Sequence, residues 1–184
     1  MQLVIGISGT SGVIYGIKLL QVLKEKRIET HLVLTDIVES ILLKETSLTK
    51  NYLEMLATHY YDVRCMTAPI ASGSFKTDGM VVIPCSMKTI SGITHGYSEN
   101  LLLRAADVTI KENRRLILVP RETPLSSIHL QNMLELSKIG VTILPAMPAF
   151  YHNPKTIDDL INYVVGKVLD ILHIEHSLYN RWGT

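Results

Sequence analysis

The chain has 184 residues, 47% hydrophobic and 19% charged, the composition of a globular protein long enough to bury one substantial core. Its formal net charge of +1 excludes the broad basic field of a nucleic-acid binder and the acidic tail that meets a basic partner, so any anion is held locally. No apolar run nears the roughly 20 residues of a membrane-spanning helix, and the start MQLVIGISG lacks a charged leader, so a soluble cytoplasmic protein with no membrane contact is expected. Leu3 to Ile7 reads as a buried strand. It runs into the glycine-rich turn Gly6 to Gly12 and then a helical stripe of Val13, Ile14, Ile17, Leu20 and Leu23. The free amides of a helix start and the hydroxyls of Ser8, Thr10 and Ser11 suit a phosphate, although such a turn can need its glycines merely to turn. Glu29 to Thr35 is a second strand, followed by a helix over Asp36 to Lys44 with Ile37, Ile41 and Leu42 inward. Only Asp36 stands where a ribose-reading acid would, which favours a mononucleotide such as FMN over a dinucleotide. Glu45 follows, read by itself as a surface carboxylate.

Tyr52 to Tyr60 is a short helical candidate and Asp62 to Thr67 a candidate strand, while Ala71 to Phe75 is a small-residue loop able to lie against a planar ligand or a neighbouring subunit. Met80 to Pro84 is a buried strand that delivers Cys85 to Thr89 to a helix start, a second half of an anion cradle. Cys65 and Cys85, the two cysteines, lack CxxC spacing and read as reduced core residues, Cys85 as a buried thiol rather than a nucleophile.

Charge gathers in Arg104 to Pro124. Arg104, Asp107 and Lys111 lie at helical spacing, Leu116 to Val119 forms a short buried strand, and Arg121, Glu122 and Thr123 sit past its carboxyl end. Ligands of open parallel sheets bind outside those ends, so this guanidinium and carboxylate suit an anion site. Ser126 to Lys138 is a helix with Ile128, Met133, Leu134 and Leu136 toward the sheet, and Val141 to Leu144 a last strand. Two prolines then extend Pro145 to His152 and present Phe150 and Tyr151 as an apolar wall. Ile157 to Ile174 is a long amphipathic helix carrying Lys167; His173 and His176 at its end could share a metal but, without an acidic partner, read as a polar face. Alternating strands and helices without repeats or linkers predict one domain over 1–184, a three-layer doubly wound parallel sheet of Rossmann-like or flavodoxin-like type. The mean hydropathy of +0.22 is high for a monomer and points to apolar surface shared between subunits.

Together GISGTSGVIYG, APIASGSF, MVVIPCSMKT, RAADVTIKENRRLILVPRETPLS and ILPAMPAFYH resemble the flavin prenyltransferase family, the UbiX-type enzymes, within the homo-oligomeric flavin-containing cysteine decarboxylase-like superfamily. The likeness covers almost the whole chain. It implies transfer of a dimethylallyl group from dimethylallyl monophosphate to N5 and C6 of reduced FMN, making prenylated FMN for a UbiD-type decarboxylase; ubiquinone precursor synthesis and phenolic acid degradation both stay open. By position, Gly9, Thr10, Ser11, Thr35, Ser86, Met87, Lys88, Thr89 and Arg121 would hold FMN. Arg104, Lys111, Glu122, Tyr151 and Lys167 would surround the prenyl phosphate, some from a neighbouring subunit of an implied dodecamer. Ser11, Glu45, Lys111, Glu122 and Trp182 would act in catalysis, Glu45 as a proton-transfer or positioning carboxylate and Trp182 as a closing aromatic. Lys167 stands where some relatives carry Arg, which keeps the charge and loses the fork. Asp158-Asp159 is the only adjacent aspartate pair and no DDxxD motif occurs, so no metal is expected; positioned Arg and Lys can stabilise a departing phosphate instead. A peptidyl-cysteine-type decarboxylase is disfavoured because Pro145-Ala-Met-Pro-Ala-Phe-Tyr replaces the Pro-x-Met-Asn-x-x-Met clamp and no histidine lies between Thr67 and Lys88. A non-catalytic FMN carrier would need the Ser11 and Ser86 loops but not Glu122, Lys111 or Lys167.

Overall fold

Leu3, Ile5 and Ile7 face one way from their strand and Val4 the other, and all four are buried, which requires cover on both faces. The computed structural model, which describes residues 1–183, supplies that cover. Its elements are β1 (Gln2–Ile7), α1 (Val13–Glu25), β2 (Glu29–Leu34), α2 (Val38–Glu45), α3 (Lys50–Leu56), β3 (His59–Tyr61), β4 (Gly79–Cys85), α4 (Met87–Thr94), α5 (Leu101–Lys111), β5 (Arg115–Pro120), α6 (Ser127–Lys138), β6 (Thr142–Ile143) and α7 (Ile157–Ile171). All strand pairs are parallel, in the order β3-β2-β1-β4-β5-β6. On one face Leu3, Ile5 and Ile7 meet Ile17 and Leu20 of α1 and Val165 and Leu169 of α7. On the other, Val4, Val82 and Cys85 meet Ile90 of α4, Leu102 and Ala106 of α5 and Leu136 of α6. This is the expected doubly wound, three-layer α/β fold.

Helix α1 lies close on the sheet because Gly16 has no side chain: a Cβ there would stand 2.5 Å from the Ile83 carbonyl oxygen. Side-chain oxygens of Ser86, Asn100, Ser126 and Thr156 start α4, α5, α6 and α7 by accepting a backbone N–H of the first turn.

Several elements depart from the periodicity reading. The helix expected over Tyr52 to Tyr60 is α3, which stops at Leu56; the chain then extends, and Thr30 and Thr58 exchange N–H to hydroxyl bonds, each 3.1 Å, that dock β3 on β2. The strand is therefore His59–Tyr61, while 62–67 turns: the Asp62 carboxylate accepts the Arg64 N–H at 2.8 Å, a local bond that competes with a sheet ladder. Helix α7 ends at Ile171 rather than 174, since His173 adopts a left-handed φ of 57°. Of the residues expected inward, Ile37, Ile128 and Leu134 are 54%, 69% and 49% exposed. Strand β6 spans only two residues.

Candidate active site

Strand order reverses between β1 and β4. From β1 the chain first winds outward through β2 and β3, then crosses to β4 on the other side, so the loops leaving β1 and β4 diverge and open a crevice at their carboxyl ends. A cleft of about 610 Å³ occupies that position. Gly9 and Thr10 after β1, Thr35, Asp36 and Ile37 after β2, Ser86 to Thr89 after β4 and Glu122 after β5 wall it, with Val63, Arg64 and the start of α5 closing one side.

The walls are built for a polar guest. The Ser8 hydroxyl, fully buried, donates to the Pro84 carbonyl at 3.1 Å and accepts the Ser86 N–H at 2.8 Å, locking the β1 and β4 exits together. Ser86 then accepts the Thr89 N–H at 3.2 Å and caps α4; the first-turn amides of Met87 and Lys88 have no intrahelical acceptor, so the helix offers positive charge where Ser86–Thr89 line the cleft. The Thr35 Oγ1 is buried in the wall without a hydrogen-bond partner among the described residues, a polar atom that a bound group would satisfy. Gly9 lets the β1 and β2 exits approach with Ile37 in place: a Cβ would sit 2.0 Å from Ile37 Cγ2, so the exposed Ile37 side chain would have to turn aside. Ion pairs Arg64–Asp36 at 2.7 Å and Lys88–Glu99 at 3.5 Å stand at the rim.

Seven of the nine residues expected around a flavin, Gly9, Thr10, Thr35, Ser86, Met87, Lys88 and Thr89, line this cleft. Arg121 stands behind it. Its Nε donates to the Ser11 carbonyl at 3.2 Å and its Nη2 to Thr10 Oγ1 at 3.0 Å, while Thr10 Oγ1 donates back to the Arg121 carbonyl at 3.0 Å, so the guanidinium ties the β5 exit to the glycine loop. Glu122 lines both the cleft and a neighbouring cavity of about 300 Å³ formed with Arg121, Pro145 and Met147. The Glu45 carboxylate, exposed yet engaged, accepts the N–H of Gly12 at 2.9 Å and of Val13 at 3.2 Å, which places a negative charge on the amino end of α1 where no side-chain cap exists.

The other expected residues lie elsewhere on the chain. Arg104 pairs with Asp107 at 2.8 Å and donates from Nε to the Ala71 carbonyl at 3.1 Å. Lys111 contacts Glu112 at 2.5 Å and, preceding β5, sits at the amino edge of the sheet, opposite the cleft. Tyr151 and Trp182 meet edge to face at 5.3 Å, away from the cleft lining, and Lys167 pairs with Asp170 at 3.6 Å. His176 also binds Asp170, at 3.1 Å, an acidic partner that the sequence reading did not give it, and His173 lies against Arg115. Burial pushes the Cys85 thiol far above its usual pKa, as a buried rather than a nucleophilic cysteine requires. The sequence reading missed Val63, Arg64, Glu99, Asn100, Leu102 and Leu103; Asn100 directly before Leu101 to Leu103 is an N-cap signal that could have placed the start of α5 here.

A parallel sheet with a polar, helix-capped cleft at its switch point defines a nucleotide- or flavin-binding α/β protein. Residues 1–169 match the Flavoprotein family model. The flavin prenyltransferase UbiX of Alkalihalophilus pseudofirmus is 54% identical, over 97% of this chain and 94% of that protein. A dodecameric FMN-dependent Ubix-like decarboxylase from Escherichia coli superposes with a TM-score of 0.98 at 48% identity, covering all of both chains. AnUbiX in complex with FMN and dimethylallyl pyrophosphate superposes at 0.97 with 43% identity, over 100% of this chain and 97% of the other. The chain belongs to the flavin prenyltransferase family of UbiX type.

Proposed function

We propose that the protein transfers the dimethylallyl group of dimethylallyl monophosphate to N5 and C6 of reduced FMN in the cytoplasm, making prenylated FMN for a UbiD-type decarboxylase. The observation that carries the reading is the switch-point cleft, whose α4 amino end and unpartnered Thr35 hydroxyl fit the phosphate and polar edges of FMN. FMN supplies the nucleophilic flavin atoms; the chain binds it, orients the prenyl donor and excludes water. Departure of a phosphate monoester needs fixed positive charge, for which Arg104, Lys111 and Lys167 are the candidates. On one chain Arg104 and Lys111 are held apart from the cleft, so the complete site draws them from neighbouring copies in a homo-oligomer, a dodecamer by likeness to relatives. Exposed Leu130, Phe150 and Trp182, with Ile128 and Leu134, supply apolar surface for such contacts. Glu122 lines both the cleft and the cavity beside it, and so is the carboxylate placed to act on the prenyl donor. Metal-independent chemistry fits the fate of the one aspartate pair: Asp159 accepts the N–H of Lys155 at 2.8 Å and of Thr156 at 2.9 Å, serving as a helix cap.

The test is anaerobic incubation with reduced FMN and dimethylallyl monophosphate, followed by mass and absorbance of the extracted flavin. A dimethylallyl adduct is expected, and a parallel arm with the diphosphate reads donor preference. Unmodified FMN with carbon dioxide released from a peptide ending in cysteine would favour the decarboxylase reading, and unmodified FMN without it the carrier reading.

A further inference from the structure

Far from the cleft, at the amino edge of the sheet, register brings together three side chains that the flavin chemistry does not use. Glu29 and His31 are two apart on β2 and so share a face, and His31 pairs in register with His59 on β3, the edge strand. The His59 Nε2 lies 3.0 Å from Glu29 Oε1 and the His31 Nε2 3.7 Å from the same oxygen. No two of the three ligand atoms are more than 4.8 Å apart, and among the described residues no other group of three His, Cys, Asp or Glu does this.

We propose that Glu29, His31 and His59 form a binding site for one divalent transition-metal ion of zinc type, which clips the edge strand β3 to β2. Two imidazoles and one carboxylate are the donor set such ions take, and three protein ligands leave a fourth position for water or an amide oxygen. Gln2 Oε1 stands ready for it, 3.3 Å from the His31 Nε2. Ligand atoms about 2.0–2.2 Å from a tetrahedral zinc lie about 3.3 Å from one another, a value that the two contacts to Glu29 bracket. The widest separation has to close by about 1.5 Å. That is within reach of His59, whose side chain is 45% exposed and whose ring, stacked 14° from parallel with His31, has to turn out of the stack so that both in-plane lone pairs meet the ion. His31 is held, 2% exposed, with Phe75 edge-on at 5.1 Å.

The shell behind the ligands is present as well. The His31 Nδ1 lies 3.1 Å from the Tyr61 hydroxyl; with the proton on Nδ1, that hydroxyl accepts it and leaves the Nε2 lone pair facing Glu29 and Gln2. In this tautomer the His31 Nε2, the Gln2 Oε1 and the Glu29 Oε1 converge as acceptors, an arrangement that suits a cation; in the other, the Nε2 proton goes to Gln2 and the site rests without metal. Thr35 of the cleft follows His31 by four residues, about 13 Å along the strand, so the ion is structural and takes no part in prenyl transfer.

Calorimetric titration of the untagged, assembled protein with zinc chloride at pH 7.5 tests the site. One ion per chain is expected, with His59→Ala and Glu29→Gln each weakening binding at least about 100-fold, the upper end of what losing even an outer-shell partner does. Both residues are exposed, so the variants keep the fold and their flavin prenylation. Zinc at 100 times its dissociation constant should raise the melting temperature of the parent by about 5–10 °C and leave His59→Ala unmoved. Cobalt should give d–d absorption bands in the parent that His59→Ala abolishes. Binding that survives unchanged in both variants, or no binding up to millimolar zinc, overturns the proposal.

Discussion

Arg121 holds the glycine loop beside the cleft, and its proposed part in FMN binding acts through that loop. Its guanidinium bonds the Ser11 carbonyl and the Thr10 hydroxyl, both in the glycine turn beside the cleft. Arg121→Ala releases that loop, and a spectral titration should show FMN affinity falling about ten- to a hundredfold, the range of lost charge-assisted hydrogen bonds; unchanged affinity would remove Arg121 from this role. Glu122 and Lys111 make the contrasting pair. Glu122→Gln and Lys111→Ala should each lower prenyl transfer by about 100-fold or more while flavin titrations stay near those of the parent. Normal turnover in both would refute the proposed division between flavin and phosphate residues. Residue types at the strand exits were legible because a hydroxyl, an amide or a guanidinium after a buried apolar run has few other uses. The engagement of Glu45 was not: its partners Gly12 and Val13 lie more than thirty positions away, and only the packing of α2 beside α1 joins them.

At the scale of elements, α1 and α7 carry the two most informative tests. Gly16→Ala puts a methyl group against the Ile83 carbonyl and Ile7, so α1 must shift from the sheet. A loss of about 1–3 kcal/mol is expected by thermal melting, against a gain of about 1 kcal/mol for the same change in an unconstrained helix. Beyond α7, Asp170 gathers the Tyr179 hydroxyl at 2.5 Å, Arg181 at 2.6 Å and His176 at 3.1 Å. Burial by itself would raise its pKa, but the bonds from Tyr179, Arg181 and His176 prevail and hold the carboxyl at about 2. An unfolded aspartate titrates near 3.9, so the charged form stabilises the fold above about pH 4, and the contribution disappears as pH falls toward 2. Asp170→Asn should therefore cost about 1–3 kcal/mol at pH 7, with the gap to the parent closing between pH 4 and 2 in acid-unfolding curves. Helix periodicity predicted α7 but not its end, because a left-handed His173 and the return of the chain to Asp170 are tertiary choices.

For the whole molecule, the proposal that neighbouring copies complete the site makes assembly part of activity. Light scattering is expected to report a dodecamer, and dilution that dissociates it should abolish prenyl transfer before FMN binding; a fully active monomer would refute both. The sequence by itself determined the order of strands and helices, the parallel sheet and the polar residue types at its strand exits. Buried parallel strands must be short apolar runs and their exits must be polar, so both patterns are local. Tertiary structure alone decided which of those exits share one cleft, that Arg104 and Lys111 stand apart from it, and that Glu29, His31 and His59 converge at the opposite edge. Each of these follows from strand order and register, which depend on contacts between residues far apart in the chain and leave no trace in any one segment.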